Sequence, residues 1–179
     1  MEAPASPVPF PIRLLDARDL ESPDSFSTLD LDAHEAGLAI DSGVDIIAAF
    51  EGESIASYLF LSTTSPGLND DLVLEFDERL VFFYRAFTRP EFRGRGMMPA
   101  LLRAALERCA SVGYKCAVAC IDVGNRPSWR AFRSVGFKTF AIVRFVKVGG
   151  RYLVRPRRSE STPRFRVVPV VDVPKHPPA

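Results

Sequence analysis

The chain has 179 residues, a formal net charge of +1 and 47% hydrophobic residues. That length suits one domain with a full core, and the composition is ordinary for a globular protein. No apolar run approaches the ~20 residues of a membrane helix. The cysteines, Cys109, Cys116 and Cys120, lack metal-ligand spacing, and with only His34 and His176 besides them a metal site is disfavoured. A reducing cytoplasm fits this cysteine usage.

Charge is unevenly distributed: residues 1–80 carry a net −14, residues 81–143 carry +8 and residues 144–179 carry +7. A basic second half suits an anionic ligand, and an acidic first half suits a cationic partner such as an amine. Equally, such halves attract one another and keep a mixed surface soluble.

Residues 1–11 hold prolines at positions 4, 7, 9 and 11 and read as a flexible arm; without a basic start they do not read as a signal peptide. Ile12–Asp16 is a first strand. Asp19–Gly43 is polar and acidic, with Leu29, Leu31 and Leu38 interspersed, and is read as one or two short helices. Ile46–Phe50 and Ile55–Ser62 form a hairpin about Glu51-Gly52-Glu53-Ser54. Ser62–Asn69 is a loop, and Leu72–Phe76 is open between a short helix and an extra strand.

Leu80–Thr88, almost wholly apolar or aromatic, is a central strand buried on both faces. A helix over Met97–Val112 tolerates Pro99 in its first turn, and Gly113 stops it. Cys116–Ile121 is the next strand. Asn125 caps a helix over Arg126–Val135, which Gly136 ends. Phe137–Val148 and Tyr152–Val154 flank Gly149-Gly150 as a hairpin. Residues 155–179 are a basic tail containing Pro, with Phe165–Val173 as a candidate edge strand.

Between the central strand and its helix lies Arg93-Gly94-Arg95-Gly96-Met97-Met98. Unpaired N–H groups and the positive end of the helix dipole face outward there, glycine admits a ligand close to the backbone, and the two arginines add charge. The stretch lacks the Gly-Lys-Ser/Thr of a P-loop and the third glycine of a Rossmann turn. Taken with Asn125, Ser128, Phe132, Gly136 and Phe137, it resembles the GNAT superfamily of N-acetyltransferases. Arg93-x-x-Gly96 fits that family's first signature, whose last position, Met98, departs from Gly or Ala. The second stretch fits its Asn, small residue, aromatic and Gly-Phe. The resemblance covers about Ile12 to Val154.

It implies an α/β single-domain GNAT-like fold over residues 12–154. The mixed central sheet would have about six or seven strands, splayed between the fourth and fifth (Leu80–Thr88 and Cys116–Ile121), with helices on both faces. It further implies that acetyl-CoA, the acyl donor, lies in the splay. The pantetheine would run along Ala86, Phe87 and Thr88, the pyrophosphate would sit on Arg93, Gly94, Arg95, Gly96, Met97 and Met98, and Asn125, Ser128 and Phe132 would lie by the far wall.

The acid and base that family members often use fall on Phe82, Cys120 and Phe132, so the usual dyad is absent. Weak substitutes are Tyr84, expected to share a strand face with Phe82 and Ala86, then Cys120 and Asp122. Arg85 reads either as a carboxylate anchor or as half of an ion pair. Met98, on the face of Leu101, Leu102 and Ala105, is expected in the core. The implied activity is acetyl transfer to the primary amine of a small molecule, by direct transfer in a ternary complex. Rival readings are a protein lysine or N-terminal acetyltransferase and a non-catalytic acyl-CoA-binding module. The short basic run Arg155–Arg158 lacks an aromatic platform, which argues against nucleic acid. A homodimer is left open.

Overall fold

The acidic N-terminal segment folds because its carboxylates cap helices. In the computed structural model, β1 (Ile12–Leu14) leads into a four-residue helix, α1 (Ala17–Leu20). Asp16 accepts from the N–H groups of Arg18 and Asp19, and the Asp19 carboxylate accepts from the Asp16 N–H in return. The second helix, α2 (Ala33–Asp41), begins where Asp32 accepts from the Glu35 N–H at 2.7 Å. The structure describes residues 10–21, 26, 29–64, 67–69, 71–76, 80–149, 151–158 and 165–169. Most of the expected N-terminal arm and the end of the tail lie outside the described residues.

Strands β2 (Asp45–Glu51) and β3 (Ser54–Ser62) make the expected hairpin. After β4 (Gly67–Asn69), the ambiguous Leu72–Phe76 is a strand, β5. Next come β6 (Leu80–Thr88), α3 (Met97–Val112), β7 (Cys116–Ala119) and α4 (Arg126–Ser134). The chain ends in β8 (Ala141–Val148), β9 (Arg151–Arg158) and β10 (Phe165–Pro169).

The central sheet is mixed, in the order β1-β2-β3-β6-β7, and only the β6–β7 pairing is parallel. One face carries the α3 and α4 core, where Ile47, Leu59, Val81 and Phe83 meet Met97, Leu101 and Leu102. The other face carries α2, where Ile46, Phe50, Tyr58 and Phe60 meet Leu31 and Ala36. The remaining strands form their own sheets: β10-β5-β4, and the hairpin β8-β9. Among the described residues the central sheet therefore has five strands, against the six or seven expected. The hairpin, which runs past Val154 to Arg158, is pinned through its own side chains: Lys147 Nζ and Tyr152 Oη both donate to Asp71, at 2.8 and 2.7 Å.

Two irregularities shape the middle of the sheet. The parallel ladder stops at Phe83–Ala119, so residues 84–88 continue β6 with no partner on the β7 side. This is the splay expected between these strands. On its other edge, β6 pairs Tyr84 with Phe60 and Phe87 with Tyr58, which leaves Arg85 and Ala86 opposite Leu59. Such a bulge reverses which way the later side chains point. The expected shared face of Tyr84 and Ala86 is thereby corrected. Tyr84 packs on the α2 side with Phe87, whereas Ala86 packs against the α3 core.

Candidate functional site

The splay is lined by a strand whose backbone is released from two neighbours at once. Arg85 sits at φ +47, the one non-glycine residue with positive φ among the described residues. A side chain in that region costs roughly 1–2 kcal/mol. What holds it is a clamp from the α2 side. The guanidinium pairs with the Glu35 carboxylate, donates to the Asp30 carbonyl at 3.1 Å, and lies 5.5 Å from the centre of the Phe60 ring. The ion-pair reading of Arg85 is therefore the one the structure contains. Beside it, the Tyr58 hydroxyl donates to the Asp30 carboxylate, and burial, then that bond, pushes the phenol far up. Sequence reasoning missed Asp30, Glu35 and Tyr58. They share no local pattern, and only the bulge and the fold of the acidic segment bring them to the splay.

At the far end of β6, Gly94 and Gly96 adopt φ +77 and +74, and a Cβ at either would meet nothing within 4 Å. Glycine is needed there for backbone conformation, and the space in front of it is open. Gly96 caps α3 without a side-chain bond, and Pro99 carries no N–H. Among the described residues, the N–H groups of Met97 and Met98 have no backbone partner, so donors and dipole converge on the open space. An oxygen-rich anion fits this cradle.

The loop's arginines are partly held. Arg93 Nε donates to the Thr88 carbonyl at 3.0 Å over the Phe87 ring, and the Arg95 guanidinium lies 5.5 Å from the Phe92 centroid. Arg89, passed over in the sequence, is 8% exposed at the turn from β6 into the loop. Met97 is the residue driven into the core, at 2% exposure; Met98 packs only partly against it.

Elsewhere along the splay, Ser57 Oγ donates to the Phe87 carbonyl at 2.7 Å and lies 2.8 Å from Thr88 Oγ1, so these two groups are already engaged by β3. Asn125 caps α4 by accepting from the Ser128 N–H at 3.2 Å. Phe132 is buried and meets Phe137 edge to face at 5.0 Å; its place is the core.

Of the weak catalytic candidates, Cys120 and Asp122 line one cleft, Tyr84 packs on the α2 side of β6, and none is poised. Tyr84 is half-buried between Phe60 and Phe82, and desolvation raises its phenol. Cys120 follows the last paired residue of β7. Its residue surface is open to solvent, yet enough protein surrounds the thiol to push it up to about 11, so it stays protonated at neutral pH. Asp122 accepts from the Gly124 N–H at 2.9 Å and shapes its own loop.

Along the other edge of β7 runs a cleft of about 590 Å³, walled by β7 with its following loop, α4 and the start of β8. It exists because β8 begins only at Ala141 and pairs with β9, leaving β7 hydrogen-bonded on one side. Among the described residues no cluster could hold a metal, and no helix is long and apolar enough to cross a membrane.

A mixed α/β sheet, opened between two parallel strands and followed by a glycine turn at a helix N-terminus, defines the class of the fold. Within that class, the chain belongs to the Acetyltransferase (GNAT) family, whose model matches residues 12–137. It is accordingly a GNAT-type acetyltransferase by family.

Among solved structures it is similar to a phosphinothricin acetyltransferase from Sinorhizobium meliloti in complex with acetyl-CoA. The two share 20% identity over 90% of this chain and 89% of that one, with a TM-score of 0.57. It is also similar to a Salmonella typhimurium protein solved with its cofactor acetyl-CoA, at 18% identity, 87% and 98% coverage and TM-score 0.55. A transcriptional regulator from Bacillus halodurans matches at 19% identity, 72% and 93% coverage and TM-score 0.52. These likenesses show the fold. No curated protein sequence matches the chain.

Proposed function

We propose that the protein transfers the acetyl group of acetyl-CoA directly to the primary amine of a small molecule. The observation that carries this is the splay after Phe83–Ala119 with the Gly94–Gly96 cradle at its outer end. Acetyl-CoA would supply an activated thioester. Gly94, Gly96 and the first N–H groups of α3 would hold its pyrophosphate, with Arg93 and Arg95 adding charge. The released backbone at Arg85 and Ala86 offers N–H groups where an extended chain can bond as an added strand and where a carbonyl oxygen can be polarised. That structures of the same fold contain acetyl-CoA supports acetyl-CoA as the ligand.

The residues then do three things. The cradle and β6 fix the donor, the sheet walls exclude water, and the Asp30 carboxylate, left over once Arg85 offsets Glu35, lends negative potential on the α2 side, which draws an ammonium. Phe82 and Phe132 carry no titratable group, and Cys120 holds its proton, so the amine gives its proton to solvent. Cys120 is likewise a poor nucleophile, which favours direct transfer over an acyl-enzyme.

The same absence of a dyad favours one second reading, an acyl-CoA-binding module without turnover. Release of free thiol from acetyl-CoA, measured against a panel of primary amines with mass detection of the products, tests the two. Amine-dependent thiol release supports the enzyme; binding of acetyl-CoA with no release from any amine supports the module.

A further inference from the structure

We infer that the cleft along the outer edge of β7 holds the body of the acceptor, and that this acceptor is a primary amine with an apolar body and a carboxylate at its far end. The inference rests on the amine-acetyltransferase reading.

A volume of about 590 Å³ is far beyond what an acetyl group fills. It lies within the roughly 300–1,000 Å³ typical of small-molecule sites. The floor is apolar: Val118, Ile121, Phe132, Phe137 and Ile142 line it. The charges around that floor are mostly of one sign. Arg133, Lys138 and Arg144 line the cleft, are exposed, and have no ion-pair partner among the described residues. The one carboxylate, Asp122, is turned onto the Gly124 N–H. An apolar floor with three uncompensated cations selects a ligand that is greasy in the middle and anionic at one end.

The other end is fixed by topology. Cys120 lines the cleft and directly follows Ala119, the last β7 residue paired to β6. One end of the cleft therefore lies at the level of the sheet where the strands part. The amine of the acceptor is assigned to that end, towards the thioester. Its lone pair forms the C–N bond, the C–S bond breaks, coenzyme A leaves as thiolate, and the nitrogen's proton passes to solvent.

Trp129 lines this cleft and is the chain's one tryptophan, so its emission reports occupancy without any turnover. The free protein is titrated with ω-aminooctanoate, octylamine and glycine. ω-Aminooctanoate is expected to shift the emission saturably. Octylamine, which lacks the carboxylate, should bind about tenfold more weakly, and glycine should give no saturable change. Arg144→Glu, an exposed site, should weaken ω-aminooctanoate about tenfold and leave octylamine unchanged. Ala141→Phe, which fills the cleft, should abolish saturation in a variant whose circular dichroism is intact.

No saturable change with ω-aminooctanoate, equal affinity for octylamine, or an Arg144→Glu variant with unaltered affinity overturns the inference. Failure of the enzyme reading is separable from this. A saturable emission change with no thiol release from any amine upholds the cleft and removes the acetyl transfer. Acetylation of small amines that ignores both variants, with no emission change, upholds the enzyme and removes the cleft.

Discussion

Arg85 offers a direct way to weigh backbone strain against a side-chain clamp. Its φ of +47 is one that L side chains rarely adopt. Replacement by alanine keeps the strain, at roughly 1–2 kcal/mol, and removes the clamp. Replacement by glycine removes both, at a cost of about 0.5–1 kcal/mol in unfolded-chain entropy. The lost ion pair is common to both variants and small: Arg85 and Glu35 side chains are 33% and 47% exposed, where such pairs contribute little. The glycine variant should therefore be more stable than the alanine variant by up to about 1.5 kcal/mol, and by about 0.7 kcal/mol at the midpoint, or about 1–3 °C in Tm for a chain of this size. Urea unfolding of the three proteins at one pH measures this. If alanine equals or exceeds glycine in stability, the bulge does not hold Arg85 in the left-handed region, and the account of the splay's strained edge fails.

Three further outcomes follow from named residues. Gly96→Glu places a charged side chain in the open space before the cradle, so calorimetry should show acetyl-CoA binding lost while circular dichroism stays native; unchanged affinity would remove the pyrophosphate assignment. Met97→Ala should cost about 2–5 kcal/mol and Met98→Ala clearly less, because Met97 is 2% exposed and Met98 only partly packed; equal costs in urea unfolding would contradict the packing. Asp19 is held below the usual carboxylate range by two hydrogen bonds from Arg13, each 2.6 Å. Its stabilisation is present above the unfolded value of about 3.9 and lost as pH falls through the lower folded value. The stability gap between wild type and Asp19→Asn should hold at neutral pH and close in acid; a gap that widens in acid would reverse the assignment.

The parts of the fold legible in the sequence were those written in local chemistry. Leu80–Thr88 and Met97–Val112 have the bounds that their apolar pattern and glycines predict. The two signatures carried the family because glycines 94 and 96 and the Asn125 cap act over a few residues. What was not legible depends on residues distant in sequence. A bulge has no compositional mark, so the facing of Ala86 was misjudged. Met98 packs against the core as its helical position predicts, but Met97 lies deeper, because adjacent methionines differ only in helical phase. The clamp on β6 joins Asp30, Glu35 and Tyr58 to Arg85 across 27 to 55 positions, which no spacing rule spans. The cleft exists because β8 pairs with β9 and leaves β7's outer edge open, a choice of partner that strand propensity does not record.

Transfer of acetyl to an amine without a side-chain base is tested by a pH–rate profile with two acceptors of different pKa. Acetylation should quicken with pH up to each acceptor's own pKa, displaced between the two amines by their difference. Tyr84→Phe, Cys120→Ala and Asp122→Asn should each cost less than about tenfold in kcat, since acid–base help is typically worth about 10²–10⁴. An inflection fixed near neutrality for both amines, or the collapse of kcat in one folded variant, would show that a base exists. No acetyl transfer at any pH would contradict the function itself.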